Sequence, residues 1–339
     1  MATETVADPH ESLVAPRPAS AIFISKNRRP LSALLVFVAL LLFFIVANTK
    51  VFLNPVLYMS VFTSLPIAII LTIPLVFIVA SGEIDLSFPS IIGLSAWAFA
   101  ATAKTDLGPF VGLIAAVIVG MLAGLVNGLL VTKVGLSALV STLGMNFLIR
   151  GLIQIGTQGE GIPLTFLRDS TFYQIFVGRI PIFGVLFPVQ MLWGLAFAAV
   201  GWWLFNRHQF GTHICCVGDN AESAREMGIN VDRTKIKGFI FVGIACACAG
   251  VLSSLINNTF WPTTGDGYLL SALAAVFVGG TPTWGGVATV AGAVIGVFIV
   301  GFIETGLISS GFSGFYTQFF YGVVLILSLI THRFNQKKR

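Results

Sequence analysis

Residues 206–237 read NRHQFGTHICCVGDNAESAREMGINVDRTKIK, the longest polar interval between hydrophobic segments of the chain. Five cations (Arg207, Arg225, Arg233, Lys235, Lys237) and four acids (Asp219, Glu222, Glu226, Asp232) crowd into it. Asp219 and Asn220 suit a helix start, because their side-chain oxygens accept from the first free N–H groups. Glu222 and Glu226 then fall early in that helix, where its dipole favours anions. Gly228 is where it stops. The interval predicts a short, exposed, charged helix from about Ala221 to Gly228, set between two membrane spans. By pattern alone it is either a solvated connector or a docking element.

The flanking sequence defines the setting. The chain has 339 residues, 56% hydrophobic and 10% charged, where a soluble domain is about a quarter charged. Apolar runs recur at about twenty residues, the length that crosses a bilayer as a helix. They lie at roughly 31–49, 56–80, 88–103, 109–132, 137–157, 184–205, 238–257, 267–281, 286–308 and 314–332. The expected fold is all-α: a polytopic integral membrane helical bundle of about ten transmembrane segments, one of them short or interrupted. Residues 1–30 are polar, carry Pro9, Pro16, Pro18 and Pro30, and read as a disordered cytoplasmic tail. Residues 31–332 form the membrane domain and 333–339 a basic cytoplasmic tail. The first apolar run starts late and lacks a small-residue cleavage site, which argues against a cleaved signal peptide.

Cations orient the spans. With the N-terminus in the cytoplasm and spans alternating, fourteen Lys/Arg fall on the cytoplasmic side and four (Lys50, Lys104, Arg168, Arg179) outside; Arg150 lies within a span. Both termini and the 206–237 loop are then cytoplasmic. The net charge of +5 is explained by this inner lining, and no aromatic-rich soluble module points to nucleic acid. Cys215, Cys216, Cys246 and Cys248 have no zinc spacing. The four histidines are scattered, and no metal site is expected. No G-x-x-x-x-G-K-[ST] phosphate loop occurs, so any ATP that drives this chain is bound by another one. No cofactor and no catalytic residue is expected here.

Several stretches could carry function. Ile78 to Ser95, IVASGEIDLSFPSIIGLS, sets Glu83 and Asp85 between apolar runs, with Ser81-Gly82 and Pro89 favouring a helix break. Such a break either lines a cavity at membrane depth or is a turn at the cytoplasmic surface. In the fifth run, Thr142, Asn146, Arg150 and Gln154 recur every four residues, on one helix face. A polar stripe holding a charge lines a pathway or pairs across helices. Glu83, Asp85 and Glu304 are the expected partners for Arg150. Gly120-x-x-x-Gly124-x-x-x-Gly128 reads as close helix packing, with Asn127 beside it placed to hydrogen-bond across helices. In Trp261 to Gly286 a short apolar segment lies between glycine-rich turns, either a half-helix or a tilted ordinary one. Residues 156–185 form the longest outer loop, a mixed-charge surface suited to an external partner.

Glu222-x-Ala224-x-x-x-Gly228 resembles the EAA-type loop of ABC importer permeases, and the run Val217 to Ile236 resembles the ribose/xylose/arabinose-type branch. Ile84-Asp85-Leu86-Ser87 is similar to that branch's G-G-I-D-L-S-x-G, with Glu83 and Pro89 standing where many members have glycine. Ser141 to Leu152 is similar to T-L-G-x-x-x-x-x-R-G-L, and Ala274 to Gly286 to A-A-x-x-x-G-G-x-x-x-x-G-G. Leu269-Leu270-Ser271 replaces a common Glu-Leu-Asp. The resemblance implies a permease subunit that works with a second permease copy, a cytoplasmic ABC ATPase and a periplasmic substrate-binding protein in the inner membrane. It implies a monosaccharide or related polyol as cargo and no enzymatic chemistry. Gly218, Asp219, Asn220, Ala221, Glu222, Ala224, Arg225, Glu226 and Gly228 are then the ATPase-coupling residues. Glu83, Asp85, Ser87, Thr142, Asn146, Arg150 and Gln154 are the candidates for the translocation pathway. The rivals are an ion-coupled secondary transporter, with Glu83, Asp85 or Glu304 as proton site, and an integral membrane enzyme, for which no nucleophile, base or metal cluster is found.

Overall fold

The computed structural model describes residues 27–182 and 184–336. Most of the N-terminal tail and the last three residues of the basic tail lie outside them. In chain order the helices are α1 (Arg28–Ala47), α2 (Thr49–Phe52), α3 (Pro55–Ala80), α4 (Phe88–Ala103), α5 (Gly108–Thr132), α6 (Ala138–Thr157), α7 (Thr171–Val177), α8 (Val189–Asn206), α9 (Gln209–Asp219), α10 (Ala221–Glu226), α11 (Val231–Ile256), α12 (Tyr268–Val278), α13 (Val290–Ser309) and α14 (Phe315–Gln336). Among the described residues, eight helices are long and apolar enough to cross a membrane, and α4 and α12 are shorter apolar helices. The expected ten segments are therefore present, with α12 as the short one.

The core is built on α3 and α11. Asn54 starts α3 by accepting from the Val56 N–H at 3.0 Å, and Pro55 sits where a helix tolerates it, in the first turn. From Leu65 to Ala80 the helix is buried nearly throughout, Pro66 and Pro74 included. Beyond Lys237, α11 is apolar on all sides, and the helix is buried over most of its length, as expected of a helix surrounded by others. Around them, α1, α5, α6, α8 and α14 turn leucines, valines and phenylalanines outward. In a membrane that belt meets lipid, so its exposure costs nothing.

Small residues set the helix spacing. A Cβ on Gly120 would stand 2.4 Å from the Gly243 carbonyl, and one on Gly124 2.3 Å from the Phe239 carbonyl. The Gly120/124/128 stripe is therefore the seam along which α5 lies on α11, as its spacing suggested. Asn127, on the same helix, donates to Ser87 Oγ at 2.6 Å. A second close contact joins α12 to α13, where a Cβ on Gly296 would lie 2.1 Å from the Ala275 carbonyl.

The helical expectation needs one amendment. Strand β1 (Ile162–Pro163) pairs antiparallel with β4 (Thr259–Phe260), and β2 (Arg179–Ile182) forms a hairpin with β3 (Val185–Pro188). The sixth apolar run thus begins as a strand, and its helix starts at Val189. Gly184 at φ +79 turns the chain back on itself. Pro188 can precede a helix but cannot sit inside one without removing a hydrogen bond.

The connecting segments gather at two ends, as alternating spans require. At one end Lys133 pairs with Asp232 at 2.7 Å, Lys235 with Glu83 at 2.5 Å, and the Gly286 N–H donates to the Ala80 carbonyl at 2.9 Å. At the other end Asn48 donates to the Ser309 carbonyl at 2.9 Å, and β1 meets β4.

Candidate functional site

The polar interval folds into two helices. α9 was not anticipated. His208 begins it by accepting from the Phe210 N–H at 3.1 Å, and Gly211, Ile214 and Val217 turn inward. That spacing, buried positions three apart, was the signal available in the sequence. Asp219 is the last residue of α9 and caps nothing; Asn220 alone starts α10, its Oδ1 accepting from the Glu222 and Ser223 N–H groups at 2.9 and 3.0 Å. Glu222 lies in the first turn, but Glu226 is the final residue of α10, so only the former gains from the helix dipole. Gly228 follows with φ +81, and nothing stands within 4 Å of the Cβ it lacks. Its left-handed backbone, not crowding, makes glycine suitable there.

The outward face of α10 does not include Ala224. Ala224 is 0% exposed. It packs with Val217 and Val231, backed by Cys216, Ala221 and Ile229, in a satellite cluster that fixes the helix to α9 and α11. Glu222, Ser223, Arg225, Glu226 and Met227 face outward, and Met227 is 65% exposed. An exposed Met beside a polar rim is an apolar anchor with a flexible shape; the sequence reading passed over it. Next to it, Arg225 and residues 228–232 border an open depression of about 380 Å³. Asp232 holds that corner, meeting Lys133 at 2.7 Å and Arg225 at 4.0 Å. Burial, and secondarily Cys216, pushes the Cys215 thiol on α9 up to about 11, so it stays protonated and unreactive at neutral pH.

The loop is wedged against the membrane helices through glycines. A Cβ on Gly218 would stand 1.8 Å from the Ala80 carbonyl and 2.6 Å from the Gly286 N. A Cβ on Gly285 would lie 2.8 Å from the Gly82 N and 2.9 Å from the Gly218 carbonyl. The end of α3, the end of α9 and the segment after α12 therefore meet backbone to backbone. The Ser81–Ser87 break sits at this junction. Glu83 is ion-paired with Lys235 from α11, both side chains 18% exposed, so it is neither solvated nor free to pair with Arg150. Asp85 is buried, and its Oδ1 accepts from the Ser87 N–H and hydroxyl, both at 2.7 Å. Its Oδ2 has no partner among the described residues. Thr142 Oγ1 accepts from the Leu86 N–H at 2.9 Å, tying α6 to the same turn.

The polar stripe of α6 divides. Thr142 is buried at the junction, Asn146 is half-buried with an unpartnered Oδ1, and Gln154 is exposed. Arg150 does not pair with Glu83, Asp85 or Glu304. Its guanidinium pairs with Asp266 and donates to the Pro262 carbonyl at 2.5 Å and the Pro89 carbonyl at 3.4 Å. The correction has a physical cause: Arg150 lies about two helical turns from Thr142, toward the end of α6 opposite the junction that holds Glu83 and Asp85. Glu304 is instead bonded by the Tyr321 hydroxyl at 2.6 Å. No group of three or more His, Cys, Asp or Glu is placed to hold a metal among the described residues.

Comparison with known proteins identifies the family. A family model described as branched-chain amino acid transport system / permease component matches residues 57–329. The chain is 31% identical over 268 residues to the ribose import permease protein RbsC of Escherichia coli K12, covering 79% of this chain and 82% of that one. It is 32% identical over 276 residues to the autoinducer 2 import system permease protein LsrC of Yersinia pestis strain Pestoides F, covering 80% and 76%. No solved structure matches.

Proposed function

Since the chain belongs to the family of branched-chain amino acid transport system permease components, we propose that it is the membrane subunit of an ATP-driven importer for a monosaccharide or related polyol. It is a transport subunit and not an enzyme, as members of this permease family are. The 31% identity to a ribose import permease over most of both chains supports the sugar class, and the similar identity to an autoinducer 2 import permease leaves the individual cargo open.

The observation that carries the reading is the junction at Gly218. A loop that presents an exposed anchor at Met227 also touches the backbones of α3 and of the segment after α12. A push on its outer face reaches the membrane helices without passing through soft side chains, because packed interiors transmit strain. In this account α10 docks on a cytoplasmic ATPase, a second copy of the permease completes the pathway, and a binding protein delivers cargo to the outer end. Asp85, Ser87 and Thr142 then belong to the turn that moves, and Arg150 to the outer frame; Asn146 and Gln154 are the pathway candidates left on α6. The domain division proposed is a tail to residue 30, a permease domain over 31–332 and a basic tail beyond.

The test is uptake by vesicles holding the permease with its ATPase and binding protein, offered ribose and a panel of related sugars and polyols. ATP-dependent uptake of one of them that survives an uncoupler is expected. Uptake without ATP that an uncoupler abolishes would instead establish the ion-coupled rival.

A further inference from the structure

Several acids lie at or near the ends of the spans, and most have a compensating partner. Glu83 has Lys235, Asp266 has Arg150, and Asp85 is buried with Ser87 bonded to it. Glu304, like Asp85, has no cation within salt-bridge distance among the described residues, but unlike Asp85 it is exposed. It is the fifteenth residue of the twenty-residue α13, about 8 Å short of that helix's end at 1.5 Å per residue. It is exposed on the protomer, although the residues around it are apolar. A carboxylate on the outside of a membrane helix is costly if it faces lipid. That face must therefore meet water, a polar ligand or another chain.

The surroundings choose among these. The Tyr321 hydroxyl, from α14, donates to Glu304 Oε2 at 2.6 Å. Tyr268, at the start of α12, lies close enough to interact with the same carboxylate. Thr317, one turn before Tyr321, buries a hydroxyl with no partner among the described residues. Nothing among those residues donates to Oε1. Three helices thus bring together one carboxylate and two phenols, with no cation among the described residues. This set repels anions and suits a neutral solute that both donates and accepts hydrogen bonds.

We propose that Glu304, Tyr321 and Tyr268 form a subsite for a hydroxyl-rich neutral solute in the outer half of the translocation pathway. The proposal rests on the sugar-import reading above. Glu304 accepts from a solute hydroxyl, and Tyr321 positions the carboxylate. Tyr268 stands next to the Asp266–Arg150 pair in sequence, so the start of α12 links this subsite to the outer frame.

The test uses the full transporter with Cys215, Cys216, Cys246 and Cys248 replaced. Ile308, one turn beyond Glu304 on the same face, is 53% exposed. Ile308→Cys should react with a membrane-impermeant maleimide added outside, and transported sugar with its binding protein should slow the reaction. Glu304→Gln and Tyr321→Phe should each lower uptake, the first by about ten-fold, the worth of one bond to a charged group. ATPase co-purification and dimer size should stay unchanged. No labelling of Ile308→Cys, or wild-type uptake by Glu304→Gln, would overturn the proposal. Dissociation of the dimer in either variant would also overturn it, by assigning the cluster to the contact between copies. A wild type that carries no sugar refutes the cargo reading, and labelling at Ile308→Cys decides separately whether the acid faces an aqueous path.

Discussion

Arg150 shows how one charge inside a span can serve the frame. Its side chain is 17% exposed, against 55% for Asp266. The guanidinium also reaches the Pro262 and Pro89 carbonyls, so it clamps the segment before α12 onto α4. Removing Asp266's charge leaves those carbonyl bonds in place, and a half-exposed pair contributes little. Removing Arg150 leaves several buried acceptors without a donor, at about 1–3 kcal/mol each before relaxation. Arg150→Met should therefore lower the thermal midpoint in detergent clearly more than Asp266→Asn does. Equal shifts would mean that the ion pair, and not the clamp, is what matters. Arg150 was legible as a residue shielded from lipid, since its spacing with Thr142 and Asn146 is local information. Its partner was not legible, because Asp266 is 116 residues away and only the tertiary fold brings it near. The same holds for Glu83 and Lys235, 152 residues apart. Gly228 and Asn220 were legible for the opposite reason: a cap and a left-handed terminus are decided within a few residues.

At the scale of elements, the ten apolar segments were legible because bilayer thickness fixes their length. The β2–β3 hairpin was not, since an apolar run with two prolines fits a span as well as a strand. The α9–α10 pair was legible in its second half only, and the burial of Ala224 was not, because it depends on Val217 and Val231 from other elements. The junction of α9 with the end of α3 makes a sharp prediction. A methyl at Gly218 has no room against the Ala80 carbonyl, and such overpacking costs about 1–3 kcal/mol or displaces the backbone. Gly218→Ala should keep the ATPase bound, because the outer face of α10 is untouched, while uptake falls relative to ATP hydrolysed. An unchanged ratio of uptake to hydrolysis would show that force does not pass through this contact.

For the whole molecule, the two groups of loops follow from spans that alternate in direction, and an even number of them puts both termini on one side. From the cation asymmetry we propose that the group holding α9 and α10 lies in the cytoplasm. Single cysteines at Ser20, outside the described residues, and at Gln336 should resist an impermeant reagent in intact cells; labelling of either reverses the topology. With that orientation, we propose that energy enters through the outward face of α10. Met227 is its exposed anchor, Glu226 lies at its rim, and neither belongs to the cluster that holds the helix in place. A Met227→Glu, Glu226→Arg variant should thus insert normally. The deciding measurement is co-purification of the ATPase with wild-type permease and with this variant, followed by ATP-dependent uptake in vesicles. The account predicts that the ATPase is retained by wild type and lost from the variant, with uptake abolished. Full retention and full uptake in the variant would contradict it.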